Sequence, residues 1–510
     1  MIPDGFGPAS ETFARQLYQQ EMRNMHSKKV IELPLDSIIV GSVETSPLNL
    51  GSFIRDPQSA FGTPITDSAA GATAYSCGIK TFNGAIADFY VVVDGKKKPC
   101  GTILEAAKLS GMRTGMVVTS KVADATPGSF WAHALHRNME SLISEYMVGM
   151  HGIKKMNDVL IGGGLCSFVP GGSVSIFSNL NFSFSVESSR IDSKNLLEYA
   201  KNHHNASIYT SISDINSSNM TSRHPVLGLL AAENMEYEID RHLKNEPSLS
   251  EMTSTALKLL APINEEERTK GFVLVVEGSK IDMAAHKNDG PAHYREIMAF
   301  QEAVSVAISF ANSNPNTLVV VVSDHETGGL SVGRQLNINV PPDYVWFPDE
   351  ILRVKHSLSF MVQSATRFLK RRNLKRRPLY KSTRNQGYQE ETAWFEESLL
   401  EEFIIKDIFV EGLGLDPSDQ RLADGALLKL LIDNIENEVI FTGILSQFIS
   451  KSARISWATS GHSSVDVNLH AYGYASSLLR GFHANNEIGL FLVNLLDLDL
   501  DRVTSAIRQR

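Results

Sequence analysis

Cysteine is scarce: three residues, Cys77, Cys100 and Cys166, in a chain of 510. At most one internal disulfide is possible, which excludes a disulfide-held scaffold and leaves the redox compartment open. No run approaches the roughly 18 apolar residues that mark a membrane span. Nothing ahead of Asp4 has the make-up of a secretory signal. Positive charge is not in excess either. The formal net charge of -9 argues against a nucleic-acid partner, because domains that bind nucleic acid are usually basic. Bound divalent cations would offset part of that charge. Core material is present in ordinary measure, 43% hydrophobic and 21% charged. That is enough for two or three average domains, or for one large α/β enzyme with insertions.

Several short apolar runs end in polar residues: "GMVVTS", "DVLIGGG", "GFVLVVEG" and "TLVVVVSDHE". Unalternated runs of this kind suit strands buried on both faces of a parallel sheet. Helical patterns lie between them, such as "GTILEAAKLSG" with Gly111 as its C-cap. The alternation predicts a doubly wound α/β fold, whose ligands bind at the carboxyl ends of the strands. The stretch 331–455 reads differently, as an insertion in the sheet and not a separate folding unit. It carries "KRRNLKRR", with basic residues and no acid from Arg367 to Arg384, and then an acidic helix-like "EETAWFEESLLEEF". A solvated face or an anionic partner site accounts for the basic run. Four Asn-x-Ser/Thr sequons, at Asn181, Asn205, Asn216 and Asn219, share one serine-rich stretch. Chance and a lumenal glycosylated loop both explain them.

The stretch "TPITDSAAGATAYSCGIKTFNGA" holds the first candidate chemistry. Thr66 or Asp67 reads as an N-cap, which places Ser68 in the first turn of a helix. There its oxygen meets free backbone N–H groups and the positive end of the helix dipole, a setting that favours an anionic nucleophile or a bound phosphate. In "VVEGSKIDMAAHKND", Glu277 ends an apolar strand, and Asp282 and His286 lie four apart on one helical face. Such a pair makes either a surface salt bridge or two zinc ligands. Asp324 and His325 follow the "TLVVVV" run, and both can reach one site only where that strand gives out. His462 stands in "ATSGHSSVD", and "VADATPGSFWAHALHR" offers Asp124, Thr126 and Arg137. An arginine fork matches phosphate oxygens two at a time.

In this order, "DSAAGATAYSCGIKT", "DATP" with its following arginine, "VEGSKID" with its histidine, "DHETGG" and "SGHSSVDV" resemble the alkaline phosphatases. Further stretches, "NGAI", "PCGTILEAAKLSG", "EYEIDR", "YVWFP" and "VTSAIR", are similar to the fungal vacuolar branch. The resemblance covers essentially the whole chain. It implies a large, mostly parallel central β-sheet flanked by helices. Residues 1–330 and 456–510 would form this core, and 331–455 an inserted crown-like region of the same domain. It implies hydrolysis of phosphate monoesters to an alcohol and inorganic phosphate, with two Zn2+ and one Mg2+ per chain. Ser68 resembles the nucleophile that becomes phosphoserine, and Arg137 the clamp on the phosphoryl oxygens. Asp282, His286 and His462 match the ligands of one zinc, and Asp4, Asp324 and His325 those of the second. Asp4 also resembles a bridge to magnesium, whose other ligands match Asp124, Thr126 and Glu277. His133 falls at a nearby position and suits a packing or supporting role. Met283 stands where relatives often carry an imidazole or amine. A homodimer and a vacuolar compartment, reached through an N-terminal membrane anchor that is not visible in this chain, belong to the same expectation.

The alternatives are a phosphodiesterase or phosphonate hydrolase of the same superfamily, a fold-retaining protein without activity, and an anion-binding surface at 367–384. Only Met1, Ile2 and Pro3 precede Asp4, too few for the apolar strand that relatives place there. The expectation is a truncated or mis-started chain in which neighbouring strands lose partners and Asp4 loses its rigid mount.

Overall fold

The apolar runs become strands because each is too short for a helix and is rich in β-branched residues, which pack well on a pleated surface. The computed structural model describes residues 1–25, 32–48, 63–91, 96–172, 187–218, 223–262, 264–372 and 397–508. A five-stranded sheet runs in the order Ser207–Tyr209, Val226–Leu229, Val159–Gly163, Arg113–Lys121 and Phe272–Glu277, with every neighbouring pair parallel. Along Arg113–Lys121, Met116 and Val118 pack into one buried cluster and Val117 into another. Helices therefore cover both faces, as unalternated strands require.

The Leu318–Val322 strand lies in a second sheet of four strands, with Gly481–Ala484, Ile39–Glu44 and Val467–Gly473. There it pairs antiparallel with Val467–Gly473. The apolar run predicts a strand of a parallel sheet, but burial on both faces does not set strand direction, and the observed pairing is antiparallel. The whole is a mostly parallel central sheet flanked by helices, the α/β architecture expected from the sequence.

Met1 and Ile2 stitch the two sheets together. The Met1 amine donates to the Val320 carbonyl at 2.7 Å, and the Val322 N–H donates back to the Met1 carbonyl at 3.2 Å. The Ile2 N–H donates to the Val276 carbonyl at 2.8 Å, and the Gly278 N–H to the Ile2 carbonyl at 2.9 Å. Ile2 bridges parallel to Glu277. The expected loss of a rigid mount for Asp4 is therefore not what the structure has. Two residues, bonded on both sides, hold the turn at Asp4 and Gly5, with Gly5 at φ 71°.

Leu330–Val332 pairs antiparallel with Ile455–Trp457. The chain thus leaves and returns side by side around a segment whose described residues include the helices Leu358–Arg372 and Glu438–Ala453. Apolar residues of this segment, among them Phe409 and Phe441, join the same buried cluster as Val117 and Val276. Lys370, Arg371 and Arg372 are exposed at the end of their helix, and the rest of the basic run lies outside the described residues. Asn205 and Asn216 are both exposed, while Asn181 and Asn219 also lie outside the described residues. All three cysteines are free and buried. No helix among the described residues is long and apolar enough to cross a membrane.

Candidate active site

Ser68 opens the helix Ser68–Cys77, whose N-cap is Asp67. One Asp67 oxygen accepts the Ala70 N–H at 3.0 Å, the other the Gly84 N–H at 3.0 Å. This cap fixes the serine at the helix start, where the first backbone N–H groups lack intrahelical partners. Ser68 Oγ lies 3.1 Å from His325 Nε2.

Glu277 ends a strand, Asp324 and His325 stand just beyond one, and Asp4 follows the Ile2 bridge, with Asp282 and His286 on the next helix, Lys280–His286. Asp282, His286 and His462 offer ligand atoms within 4.8 Å of one another, and so do Asp4, Asp282 and His325. Asp282 therefore belongs to both groups. Asp324 Oδ2 sits 3.3 Å from His325 Nε2, and Asp4 Oδ1 3.6 Å from it.

The imidazoles share one device: each ties its Nδ1 to a neighbour and turns Nε2 inward. His286 Nδ1 lies 2.6 Å from the Ser460 carbonyl, and His462 Nδ1 2.8 Å from the Thr66 carbonyl. A carbonyl only accepts, so both Nδ1 atoms carry protons and both Nε2 atoms present lone pairs in the neutral rings. Those two Nε2 atoms face each other at 3.1 Å, with Asp282 oxygens 3.2 Å from His286 Nε2 and 3.6 Å from His462 Nε2. Two ligands on one tetrahedral zinc stand about 3.3–3.6 Å apart. The spacing fits a shared cation, and facing lone pairs demand one or a proton.

The carboxylates carry the same message. Asp4 Oδ1, Asp324 Oδ2 and Thr126 Oγ1 are buried without a hydrogen-bond partner. Burial, then repulsion from Asp324, Asp282 and Glu277, holds Asp4 well above the usual carboxylate range. Burial and Asp282 push Asp324 up to about 7. Burial, with Asp124 and Asp324 beside it, pushes Glu277 up to about 8. Burial also opposes the Asp282 charge, but His286, His325 and His462 hold that group below the usual range. Buried carboxylates in such density need positive charge to stay ionised. The donor set of carboxylate, imidazole and hydroxyl fits zinc and magnesium.

Arg137 lies at the side of this cluster. Its Nη1 is 3.5 Å from Asp67 and its Nη2 3.3 Å from Asp124. Burial works against its charge, but Asp124 and Asp67 secure it. Asp124 also caps the helix Ala125–Trp131, which carries Thr126 beside Glu277. The side chains of Arg137 and His286 remain 31% and 39% exposed, so the cluster reaches solvent at these two residues. His133 does not reach the cluster; it is buried 3.1 Å from Glu105. Sequence reasoning passed over Asp67 as an arginine partner, having seen only its cap. It also passed over Thr327, a hydroxyl two residues past His325, which donates to Asp282 at 2.6 Å.

The chain matches the family model described as alkaline phosphatase over residues 1–498, and it belongs to that family. It is a phosphoric monoester hydrolase. It is 37% identical to the alkaline phosphatase of Schizosaccharomyces pombe, over 100% of this chain and 82% of that protein. It is 36% identical to the repressible alkaline phosphatase of Saccharomyces cerevisiae, over 99% of this chain and 82% of the relative. The cold-active alkaline phosphatase of a psychrophilic Shewanella superposes with a TM-score of 0.70 at 27% identity, covering 97% of this chain and 98% of that one. The Thermus thermophilus alkaline phosphatase shares the fold, with a TM-score of 0.72 at 24% identity over 100% of this chain and 94% of that structure.

Proposed function

We propose that the chain hydrolyses phosphate monoesters through a phosphoserine formed on Ser68, at a site that holds two zinc ions and one magnesium ion. The carrying observation is the pair of inward-facing imidazole nitrogens, His286 Nε2 and His462 Nε2, 3.1 Å apart beside Asp282. In this reading Asp282, His286 and His462 hold one zinc, and Asp4, Asp324 and His325 the other. Asp4, Asp124, Thr126 and Glu277 hold magnesium. Bound there, the metals supply the positive charge that stabilises the attacking and leaving oxygens of an in-line displacement.

Arg137 receives two phosphoryl oxygens in its planar fork, kept in place by Asp67 and Asp124. Ser68 Oγ loses its proton and attacks phosphorus; the Oγ–P bond forms as the ester P–O bond breaks, and the alcohol leaves with a proton. Water then attacks the phosphoserine phosphorus, inorganic phosphate departs, and Oγ regains a proton. The N-terminal amides of the Ser68 helix favour the negative charge at each stage.

Residues 331–455 read as an insertion of the same domain, since the 330–332 and 455–457 segments pair at its base. Working as a homodimer in a vacuole completes the reading, supported by the likeness to the fungal relatives.

The test is to dialyse the protein against a chelator, measure activity on a phosphate monoester, and add back zinc and magnesium. Activity should fall and return only with both ions. Incubation with substrate and acid quenching should leave a phosphate on the peptide containing Ser68, read by mass spectrometry. A phosphate on another residue, or full activity after chelation, overturns the proposal. Faster turnover of a diester than of a monoester would favour the phosphodiesterase alternative.

A further inference from the structure

We propose that Thr327 is the positioning residue that couples the two zinc sites, so that they fill and fail together. The inference rests on the metal reading above and concerns a side chain that is not a ligand in it.

Thr327 touches four of the elements that carry ligands. Its N–H donates to the Gly5 carbonyl at 3.1 Å, on the turn that displays Asp4. Its backbone pairs with His462 in the short ladder of Glu326–Thr327 against His462–Ser463. Its hydroxyl donates to Asp282 Oδ1 at 2.6 Å and lies 3.1 Å from His325 Nδ1. It is fully buried, and a Cβ added at Gly5 would come within 2.8 Å of both its Oγ1 and the Asp282 Cα.

The proton order on this hydroxyl follows from its partners. A carboxylate oxygen accepts, so the Thr327 proton goes to Asp282. The hydroxyl lone pair then faces His325 Nδ1, which must carry the ring proton. His325 Nε2 is left with its lone pair toward Asp4, Asp324 and Ser68. His286 and His462 have their tautomers set by rigid backbone carbonyls. Only His325, among these three, depends on a side-chain hydroxyl, and that hydroxyl also orients the carboxylate shared by both groups. Neighbours that orient ligands in this way are commonly worth about 10–100-fold in metal affinity. Here one such neighbour acts on a ligand of each site.

The experiment uses the full chain stripped of metal and titrated with Zn2+ against a chromophoric chelator. It compares the wild type with Thr327→Val, which keeps the shape and loses the hydroxyl, and Thr327→Ser, which keeps the hydroxyl. The wild type should take up two zinc ions per chain. Thr327→Val should weaken both by about 10–100-fold, and Thr327→Ser should restore uptake to near the wild-type value. If Thr327→Val does not fold, Thr327→Ala takes its place with the same expectation. Wild-type affinity in the hydroxyl-free variant, or weakening of one site alone, overturns the coupling while leaving the metal reading intact. Failure of the wild type to bind zinc overturns the metal reading and the coupling with it.

Discussion

Asp289 Oδ2 accepts the Leu358 N–H at 2.7 Å, joining the turn after His286 to the first residue of the helix Leu358–Arg372. Its neighbours do the same work: Lys287 Nζ donates to Ser359 Oγ at 2.6 Å, and the Asn288 carbonyl accepts from Ser446 Oγ at 2.9 Å. Asp289 Oδ1 also accepts the Ala292 N–H at 3.1 Å. Asp289→Ala leaves two amides without acceptors and should lower stability by about 2–4 kcal/mol, read by urea unfolding. Lys287→Ala, at an exposed contact, should cost under about 1 kcal/mol. Equal effects would show that the clamp does not depend on the buried carboxylate.

Ser68→Ala should lower kcat by at least about 10³-fold and leave zinc uptake unchanged, because the hydroxyl is not counted among the ligands. Isothermal titration with zinc beside a steady-state assay separates the two readouts. A variant that keeps a tenth of the activity would remove Ser68 from the chemistry.

Arg137→Lys keeps the charge and loses the fork, so two-point contact with phosphoryl oxygens is gone. The expected change is a rise in the Kd for inorganic phosphate of about 10-fold, the worth of one charge-assisted hydrogen bond. Unchanged phosphate binding would place the clamp elsewhere.

His133 predicts a slope in stability with pH. Burial alone would depress the ring, but the Glu105 carboxylate and the Ala87 carbonyl override it and hold the pKa up at about 9, from 6.5. A raised histidine contributes stability in full below its unfolded pKa and loses it as pH rises through the folded value. The stability advantage of wild type over His133→Gln should be greatest near pH 6 and shrink by about 3 kcal/mol by pH 10. Thermal unfolding of both proteins across that range checks it; a gap that does not change with pH would mean that the pair is neutral.

Gly71→Ala sets two effects against each other. Alanine is favoured in a helix by about 1 kcal/mol. Its Cβ would lie 3.0 Å from both Asp324 Cβ and the Asp324 carbonyl oxygen. The melting temperature should barely move, while zinc affinity falls because Asp324 must shift. Wild-type zinc uptake in this variant would show that Asp324 is not needed where it stands.

What could be read from the chain divides by distance along it. The Asp67 and Gly111 caps, the Glu277 strand end and the Asp282–His286 spacing are local, and helix and strand geometry set them within a few residues. Placement of the two sheets was not local. The Leu318–Val322 run is buried like its parallel counterparts, yet its direction is decided by Val467–Gly473, far along the chain. The mount of Asp4 was also misjudged. Residue counting asks how long a strand is, whereas Ile2 succeeds by bonding Val276 and Gly278 on one side while Met1 bonds the other. Thr327 escaped notice for a similar reason, since a threonine in a turn carries no signal until Asp282 and His325 are seen on either side of it.

The ladder between Leu330–Val332 and Ile455–Trp457 bears on how this protein can vary in length. With the ends of the segment held side by side, lengthening it adds only the slow logarithmic cost of a larger loop, about 0.6 kcal/mol for each doubling. Additions and deletions between those strands are therefore thermodynamically cheap wherever they spare Leu358, Ser359 and Ser446. Homologues should differ most in size there, with little change in the geometry around Ser68.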